Sequence, residues 1–202
     1  TDTSELVATL QRALAEQDIP EAGIELLINN AGSGHFGPFV EEDPVAMSRA
    51  VRLNMETPQQ LIRWIIPAMQ SRGGGVICNV ASVAAFTPGP LMASYYAAKA
   101  WMLSLGESLH EELKGTGIAV VTCCPGPFAS EFHTTAGIDP RRIGRVPTAA
   151  TVAREIVKAI DRGRPVAPVG GAARAWALLG PRLPRRWSRR IIHRLQRRRR
   201  SP

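Results

Sequence analysis

Apolar residues follow two patterns along the chain, one typical of helices and the other of buried strands. Residues 3–17 carry apolar positions at helical spacing behind a Thr/Ser cap. The apolar run ELLINNA at 25–31 ends in polar turn residues, as a buried parallel strand does. Asp43 is predicted to cap a helix that reaches about Met69, and the glycines at 73–75 end it.

The two patterns continue to alternate in the second half of the chain. The pattern predicts a strand at 76–82 and another at 117–125. The helix between them is predicted to end near Leu113. A loop rich in Gly, Pro and Thr covers 126–147, a helix spans about 148–162, and PVAPVG is a short last strand. This order predicts an α/β fold, a doubly wound parallel sheet with right-handed crossovers and helices on both faces.

Polar or turn-forming residues follow three of the predicted strands. These residues are Asn30, Ser82 and Pro125. Because ligands of such sheets bind beyond the carboxyl ends of the strands, we expect a site at this edge.

The helix after Ser82 carries Tyr95 and Lys99, whose spacing of four puts both on one helix face. A free phenol has a pKa near 10, so it is a poor acid–base catalyst at neutral pH. We expect the cation of Lys99 to lower the pKa of Tyr95. Ser82 would hold a substrate oxygen beside the phenol. Taken alone, the pair is more often a packed ring beside a surface lysine, whereas Tyr96 has only Ala100 four residues on.

One motif is rejected for the site. The segment GSGHFG at 32–37 matches the G-x-G-x-x-G dinucleotide fingerprint and follows a strand. The fingerprint requires its last glycine to open a helix, but Pro38 continues a loop and no helix is predicted before Asp43. We interpret the segment as a flexible wall of the site.

Together, NNAG at 29–32, Asn54, Ser82, Tyr95 with Lys99, and the segment 125–130 resemble the motifs of short-chain dehydrogenase/reductases. The resemblance covers residues 1 to about 170 and implies a Rossmann-like fold. It also implies a catalytic tetrad and a set of positions bordering the nucleotide cofactor. The implied tetrad is Asn54, Ser82, Tyr95 and Lys99, and the implied cofactor-binding residues are Asn30, Ala31, Gly32, Tyr95, Lys99, Pro125, Gly126, Phe128 and Ser130.

The resemblance assigns chemistry to the tetrad. It implies an NAD(P)-dependent oxidoreductase that interconverts a carbonyl and a secondary alcohol, with Tyr95 moving the proton. Lys99 would also bind the nicotinamide ribose, and Asn54 would hold a water that links Lys99 to solvent. Ser130 stands where the family usually has threonine, which keeps the hydroxyl.

Members of the family begin with three strands and a Gly-rich turn. These elements come before the part of the family pattern that this chain matches. Those elements carry the pyrophosphate loop and the residue that chooses between NAD and NADP. Because the chain starts at Thr1 within a helical pattern, we expect a piece of a longer protein that by itself binds NAD or NADP feebly or not at all. The alternative is a truncated or non-catalytic relative that acts as a binding or membrane-associated protein.

Composition agrees with one domain in a reducing compartment. The chain has 202 residues, of which 45% are apolar, enough for a sizeable core. No apolar run has transmembrane length and no segment resembles a secretory signal. The three cysteines do not have metal-ligand spacing, so we expect no metal site. We interpret them as buried small side chains in a reducing compartment, and therefore expect a cytoplasmic protein.

The net charge of +8 belongs to the C-terminal end. From Ala172 onward there are eleven arginines and no acidic residue, whereas residues 1–171 have a net charge of −3. We therefore divide the chain into a catalytic portion, 1–171, and a basic tail, 172–202, in which Trp187, Ile191 and Leu195 recur every four residues. The tail could dock on the body through Trp176, Leu178 and Leu179, bind an anionic membrane peripherally, or, least expected, contact nucleic acid.

The predicted substrate pocket is mostly apolar, which favours a lipophilic ketone or secondary alcohol. We also expect a homo-oligomer that forms through helices 43–69 and 91–114. The residues expected around the substrate are His35, Phe36, Phe86, Leu91, Met92, Phe128 and the loop 131–147.

Overall fold

The computed structural model describes residues 3–199, which form one parallel sheet with helices on both faces. The four strands lie in the order β1-β2-β3-β4, and each neighbouring pair is parallel. The strands are β1 (Leu26–Asn29), β2 (Gly75–Val80), β3 (Ile118–Pro125) and β4 (Val166–Val169). The helices are α1 (Thr3–Ala15), α2 (Pro44–Val51), α3 (Thr57–Arg72), α4 (Ala93–Glu112), α5 (Phe132–Thr135), α6 (Ala149–Arg162), α7 (Gly171–Leu179) and α8 (Arg185–Arg197).

Two apolar layers enclose the inner strands. On one face, residues of α3 such as Ile65 and Met69 pack against Ile77 of β2 and Val120 of β3. On the other face, α6 covers a layer that includes Cys78 of β2. Because side chains alternate along a strand, Ile77 and Cys78 point into opposite layers. Both faces of β2 and β3 are therefore buried, as the continuous apolar runs predicted.

The predicted helix 43–69 is divided in the structure. Asp43 caps its start as expected, since its carboxylate accepts a hydrogen bond of 2.8 Å from the Ala46 amide. A five-residue π-helical turn, Arg52–Glu56, then separates α2 from α3. The helix ends three residues later than predicted, at Arg72, and Gly73 follows with a φ of 91°. The wide turn contains Asn54, and such turns occur often at functional sites.

Helix α4 lies unusually close to the sheet at one glycine. A Cβ atom added to Gly106 would lie within 1.9 Å of the Thr122 hydroxyl oxygen on β3. Only a glycine fits there, because the strand side chain fills the space that any side chain would need. This close approach holds α4, with Tyr95 and Lys99 at its start, against the ends of the strands.

The segment 126–147, predicted as a loop, contains the single-turn helix α5 and a short 3₁₀ turn, Pro140–Arg142. Ala129 forms an isolated bridge with Thr148. The segment that follows β3 is therefore not an irregular loop throughout, because it contains two helical turns and one β-bridge.

The last two helices pack on the body through residues other than those predicted. Leu178 and Leu179 are exposed and Trp176 is half-buried, so the predicted docking contacts are wrong for both leucines. Contact is made instead by Ala173 and Gly180 near α7 and by Ser188, Ile192 and Gln196 on α8, all of which are buried. Whether residues 172–202 form a separable unit stays a prediction.

Strand β1 differs from the inner strands. It pairs with β2, and no other strand of the described residues 3–199 pairs with it. Leu26 is 42% exposed and Ile28 is 48% exposed, although both belong to an apolar run. One edge and part of one face of β1 are therefore open.

None of the described helices is both long and apolar enough to cross a membrane.

Candidate active site

Lys99 lies near the start of α4, and its side chain reaches the carboxyl end of β2. Its side chain is buried, and its ammonium donates a hydrogen bond of 2.9 Å to the Val80 carbonyl at the end of β2. Burial disfavours the charged form and lowers the pKa of Lys99 to about 8. An ammonium has three donors, so this one bond leaves two for other partners.

Asn54 meets Lys99 and Gly32 behind the site. The Asn54 amide nitrogen donates hydrogen bonds of 2.8 Å to the carbonyls of Ser33 and Ala50. Its oxygen is buried without a hydrogen-bond partner. A Cβ atom added to Gly32 would lie 2.8 Å from that oxygen and 3.4 Å from the Lys99 nitrogen. The missing side chain of Gly32 therefore lets the two polar groups approach the backbone together.

Tyr95 lies one helical turn before Lys99, with its ring packed against Phe132 at a centroid distance of 4.9 Å. Burial raises the pKa of Tyr95 to about 12, which a hydrogen bond from Ser82 opposes. The Lys99 nitrogen lies 5.8 Å from the centre of the Tyr95 ring. The expectation that Lys99 lowers this pKa is therefore wrong for this arrangement, because burial is the larger effect and the ammonium is directed at Val80.

Ser82 follows β2 and opens a 3₁₀ turn, Val83–Phe86. Its hydroxyl oxygen accepts a hydrogen bond of 3.1 Å from the Ala84 amide. This cap fixes the side chain at the carboxyl end of the strand, on the side of the Tyr95 phenol. The structure therefore brings Ser82, Tyr95 and Lys99 together, as predicted.

The predicted cofactor-binding residues share one cavity of about 530 Å³ with Ser82, Tyr95 and Lys99. They come from the ends of β1 and β3, which meet at the same edge of the sheet. Asn54 does not line the cavity and reaches it only through its neighbours Gly32 and Lys99. The predicted residues that line the cavity are Asn30, Ala31, Gly32, Pro125, Gly126, Phe128 and Ser130.

The expected substrate pocket is correct only in part. Met92 and Phe128 line the cavity, together with residues of the 131–147 loop. Phe36 instead belongs to a buried cluster with Met92, and Phe86 packs against another part of the core. His35 and Leu91 do not line the cavity either. The lining residues from the loop are Phe132, His133 and Ile138.

The sequence analysis missed a buried amide pair and two hydrogen-bonded contacts at the cavity. Asn29 donates a hydrogen bond of 2.9 Å to Asn79 between β1 and β2, and a polar residue inside the apolar run ICNVAS was the available signal. His133 lies 3.0 Å from the Phe128 carbonyl, and burial lowers its pKa. Gln196 of α8 donates to the Tyr96 hydroxyl at 3.1 Å. Nothing in the local sequence pattern indicates either contact.

The arrangement provides a phenol, a hydroxyl and an ammonium at one end of a cavity. A phenol with a pKa of about 12 is fully protonated at neutral pH, so it can donate a hydrogen bond to an oxygen, but it is a weaker acid than a free phenol. In the part of the chain that the structure describes, no cluster of three His, Cys, Asp or Glu side chains is placed to hold a metal ion.

The sequence model of the family described as "short chain dehydrogenase" matches residues 1–140, more than half of the chain. The chain belongs to the short-chain dehydrogenase/reductase family. This membership confirms the resemblance found in the motifs around Tyr95.

Two curated relatives show how much of a family member the chain covers. It is 32% identical to the ketoacyl reductase HetN of Nostoc sp. over 161 residues, which are 79% of this chain and 54% of HetN. It is 29% identical to the probable oxidoreductase EphD of Mycobacterium tuberculosis in an alignment of 199 positions that covers 89% of this chain and 32% of EphD. The chain thus spans about half of HetN and a third of EphD.

Solved structures of the family superimpose on most of the chain. A short-chain dehydrogenase from Sphingobium yanoikuyae in complex with NADPH matches with a TM-score of 0.71 and 34% identity, covering 80% of this chain and 64% of its own. A short-chain dehydrogenase from Burkholderia cenocepacia in complex with NADP matches with a TM-score of 0.76 and 27% identity, covering 96% and 76%. These matches confirm the predicted Rossmann-like α/β fold.

Proposed function

We propose that this chain is the proton-transferring part of an NAD(P)-dependent oxidoreductase that interconverts a carbonyl and a secondary alcohol. The observation that carries the proposal is the convergence of Ser82, Tyr95 and Lys99 in one cavity at the carboxyl ends of the strands. Burial and capping hold each of these side chains in place, which favours a catalytic role over three unrelated surface residues.

The cavity fits a nicotinamide cofactor on the chemistry of its walls. The Lys99 ammonium uses one of its three donors on Val80, so the other two are available for the hydroxyls of a ribose. Gly32 lies beside this ammonium and has no side chain, so a ligand can approach its backbone closely. The cavity extends from Asn30 and Gly32 to Gly126 and Phe128, so an elongated ligand would lie across the ends of β1, β2 and β3. Solved structures of relatives hold NADPH, NADP or NADH, which supports either NAD or NADP as the cofactor of this chain. When bound, the cofactor supplies or accepts the hydride.

Each polar residue has one task in this proposal. Ser82 donates a hydrogen bond to the substrate oxygen and holds it next to the phenol. Tyr95, which is protonated at neutral pH, donates its proton to that oxygen during reduction. Lys99 binds the ribose and is the nearest cation to Tyr95 among the residues that share the cavity. The unpartnered oxygen of Asn54 would accept a hydrogen bond from a water beside Lys99.

The walls close to Tyr95 favour an apolar substrate. Met92, Phe132 and Ile138 line the cavity and pack in one cluster with Tyr95, whereas the polar lining residues His133, Gln196 and Arg199 come from α5 and from the end of the chain that the structure describes. The three apolar side chains offer no hydrogen bonds to a sugar or a charged group. A lipophilic ketone or secondary alcohol of medium size therefore suits the cavity best.

Two adjacent tyrosines provide a matched test. Tyr95→Phe removes the hydroxyl beside Ser82, whereas Tyr96→Phe removes the neighbouring hydroxyl that binds Gln196. With NADH or NADPH and a panel of apolar ketones, Tyr95→Phe should lower kcat/KM by about 10²- to 10⁴-fold, the usual contribution of an acid–base group. Tyr96→Phe should change it by only a few-fold. The absorbance of the reduced nicotinamide measures turnover.

Equal losses in the two variants would refute the assignment of the proton to Tyr95. Nucleotide binding, followed by nicotinamide fluorescence, should survive in both variants. Loss of binding in Tyr95→Phe alone would mean that Tyr95 holds the cofactor and is not the acid.

Self-association through 43–69 and 91–114 stays a prediction. The exposed Val45 and Val51 on α2 support it, since apolar side chains on a helix surface favour contact with another chain. Sedimentation velocity measures the oligomeric state, and a monomer at all concentrations would contradict the prediction.

A further inference from the structure

Helix α8 has two neighbouring apolar faces, and only one of them is covered. Ile192 packs on the body, flanked along the helix by the buried Ser188 and Gln196. The adjacent stripe runs through Trp187, Ile191 and Leu195, at the same spacing of four. Trp187 is 56% exposed and Leu195 is 45% exposed. A tryptophan and a leucine are therefore held at the surface of a helix that is already folded.

The charge around this stripe is of one sign. Residues from Ala172 onward include eleven arginines and no acidic residue. At 100° per residue, Arg190, Arg194 and Arg198 lie on the side of the stripe that faces away from the buried residues. The stripe thus has the protein body on one side and a row of cations on the other. An interfacial helix that binds anionic lipid has the same composition.

Docking on the body prepares the helix for this contact. Gln196 donates a hydrogen bond to the Tyr96 hydroxyl, and both residues line the cavity that contains Tyr95. Because α8 is ordered by these contacts, binding to a surface requires no separate folding of the helix. Helix α8 therefore contributes residues both to the cavity and to the exposed stripe.

We propose that α8 is a peripheral membrane-binding element that seats the protein on an anionic lipid surface. Trp187 and Leu195 enter the boundary between headgroups and acyl chains, where tryptophan is favoured, and the arginines bind the lipid phosphates. The described residues provide no helix that could span the bilayer, so the contact is interfacial.

Two other partners fit the surface less well. Nucleic acid would satisfy the arginines, but it would leave the Trp187–Leu195 stripe without apolar partners. A second copy of the helix would cover the stripe, but it would bring two rows of arginine together without an acidic residue on either. An anionic bilayer satisfies both the apolar stripe and the charge.

Vesicle co-sedimentation of the 202-residue chain tests the proposal. The vesicles are phosphatidylcholine alone or phosphatidylcholine with phosphatidylglycerol. We expect binding to the anionic vesicles at low salt, and weakening by several-fold or more at high salt because the arginine contacts are screened. The double variant Trp187→Ser/Leu195→Ser should bind about ten-fold more weakly, since it loses both inserted side chains.

A control pair removes an exposed aromatic and an exposed aliphatic side chain elsewhere. Phe39 is 59% exposed and Val157 on α6 is 57% exposed, so Phe39→Ser/Val157→Ser keeps α8 intact. This variant should bind within about two-fold of the unchanged chain. Trp187 fluorescence should shift to shorter wavelength with anionic vesicles, and Trp187→Phe should abolish the shift. Circular dichroism confirms that each variant is folded.

Three results would overturn the proposal. The first is no sedimentation with anionic vesicles at low salt. The second is equal loss in the α8 and control variants. The third is binding to duplex DNA that is tighter than vesicle binding at the same salt, which would assign the surface to nucleic acid. None of these measurements depends on turnover, so the proposal can fail while the proposed enzymatic function stands.

Discussion

Strands β1 and β2 pair in register along the same sheet, yet their surroundings are opposite. Ile77 of β2 has no exposed surface, whereas Ile28 of β1, one register position along, is 48% exposed. β2 has strands on both sides and apolar layers on both faces. β1 has one strand neighbour among the described residues and a partly uncovered face.

This difference matches the division of the chemistry. The residues proposed to transfer the proton, Ser82, Tyr95 and Lys99, lie on α4 and directly after β2, which are packed between the apolar layers. Asn30 and Gly32, the predicted cofactor contacts at the end of β1, lie at the open edge of the sheet. An open, apolar edge strand is a surface on which another strand could pair. The enclosed part of the molecule therefore carries the proposed acid–base groups, and the open edge carries those of the predicted cofactor contacts that follow β1.

The largest expected effect compares one substitution in the two strands. Ile77→Ala creates a cavity between α3 and the sheet, so it should lower the free energy of unfolding by about 3 kcal/mol. Ile28→Ala removes a side chain that is half in water, so it should cost less than about 1 kcal/mol. Urea denaturation measures both values. A loss for Ile28→Ala as large as that for Ile77→Ala would mean that β1 is covered in solution.

The second prediction concerns the buried charge beneath the inner strands. Burial lowers the pKa of Lys99 to about 8, so the charged lysine destabilises the fold at neutral pH. Lys99→Met removes this cost and the bond to Val80, and should raise the free energy of unfolding at pH 7 by about 2 kcal/mol. Catalysis should be lost in the same variant.

The sign of the pH dependence follows from proton binding. Between pH 8 and about 10.5 the unfolded chain holds the Lys99 proton and the folded chain has released it, so stability rises with pH in that window. The advantage of Lys99→Met should therefore shrink toward zero by about pH 10. Lys158→Met, at a lysine that is mostly exposed, should change stability by less than about 0.5 kcal/mol at either pH. An advantage that is independent of pH over this range would mean that folding does not lower the pKa of Lys99, and that the gain comes from packing of the methionine.

The features that the sequence predicted correctly depend on local patterns. The spacing of Tyr95 and Lys99 on one helix and the polar residues after each strand are patterns of a few residues, and they place the candidate site at the sheet edge where the cavity lies. The cap at Asp43 and the last strand, Val166–Val169, are also local signals.

The features that were missed depend on contacts between distant segments. The π-helical turn at Asn54 and the buried face of α8 at Ile192 arise from packing, and helical periodicity does not show them. The pKa of Tyr95 was predicted in the wrong direction, because burial by Phe132 and the direction of the Lys99 side chain are tertiary features. Spacing along a helix indicates which groups meet, but their electrostatic balance depends on what surrounds them.

The smallest expected effect on stability sharpens the description of β1 as an open edge. Ile28→Lys places a charge on a half-exposed position, so the free energy of unfolding should change by less than about 1 kcal/mol. Aggregation should nevertheless slow, because a lysine on an edge strand opposes pairing with another chain. Light scattering during incubation measures the rate, with the exposed Val157→Lys on α6 as a control for added charge. If both variants slow aggregation equally, net charge is responsible; if only Ile28→Lys does, the open edge of β1 is where the chains associate.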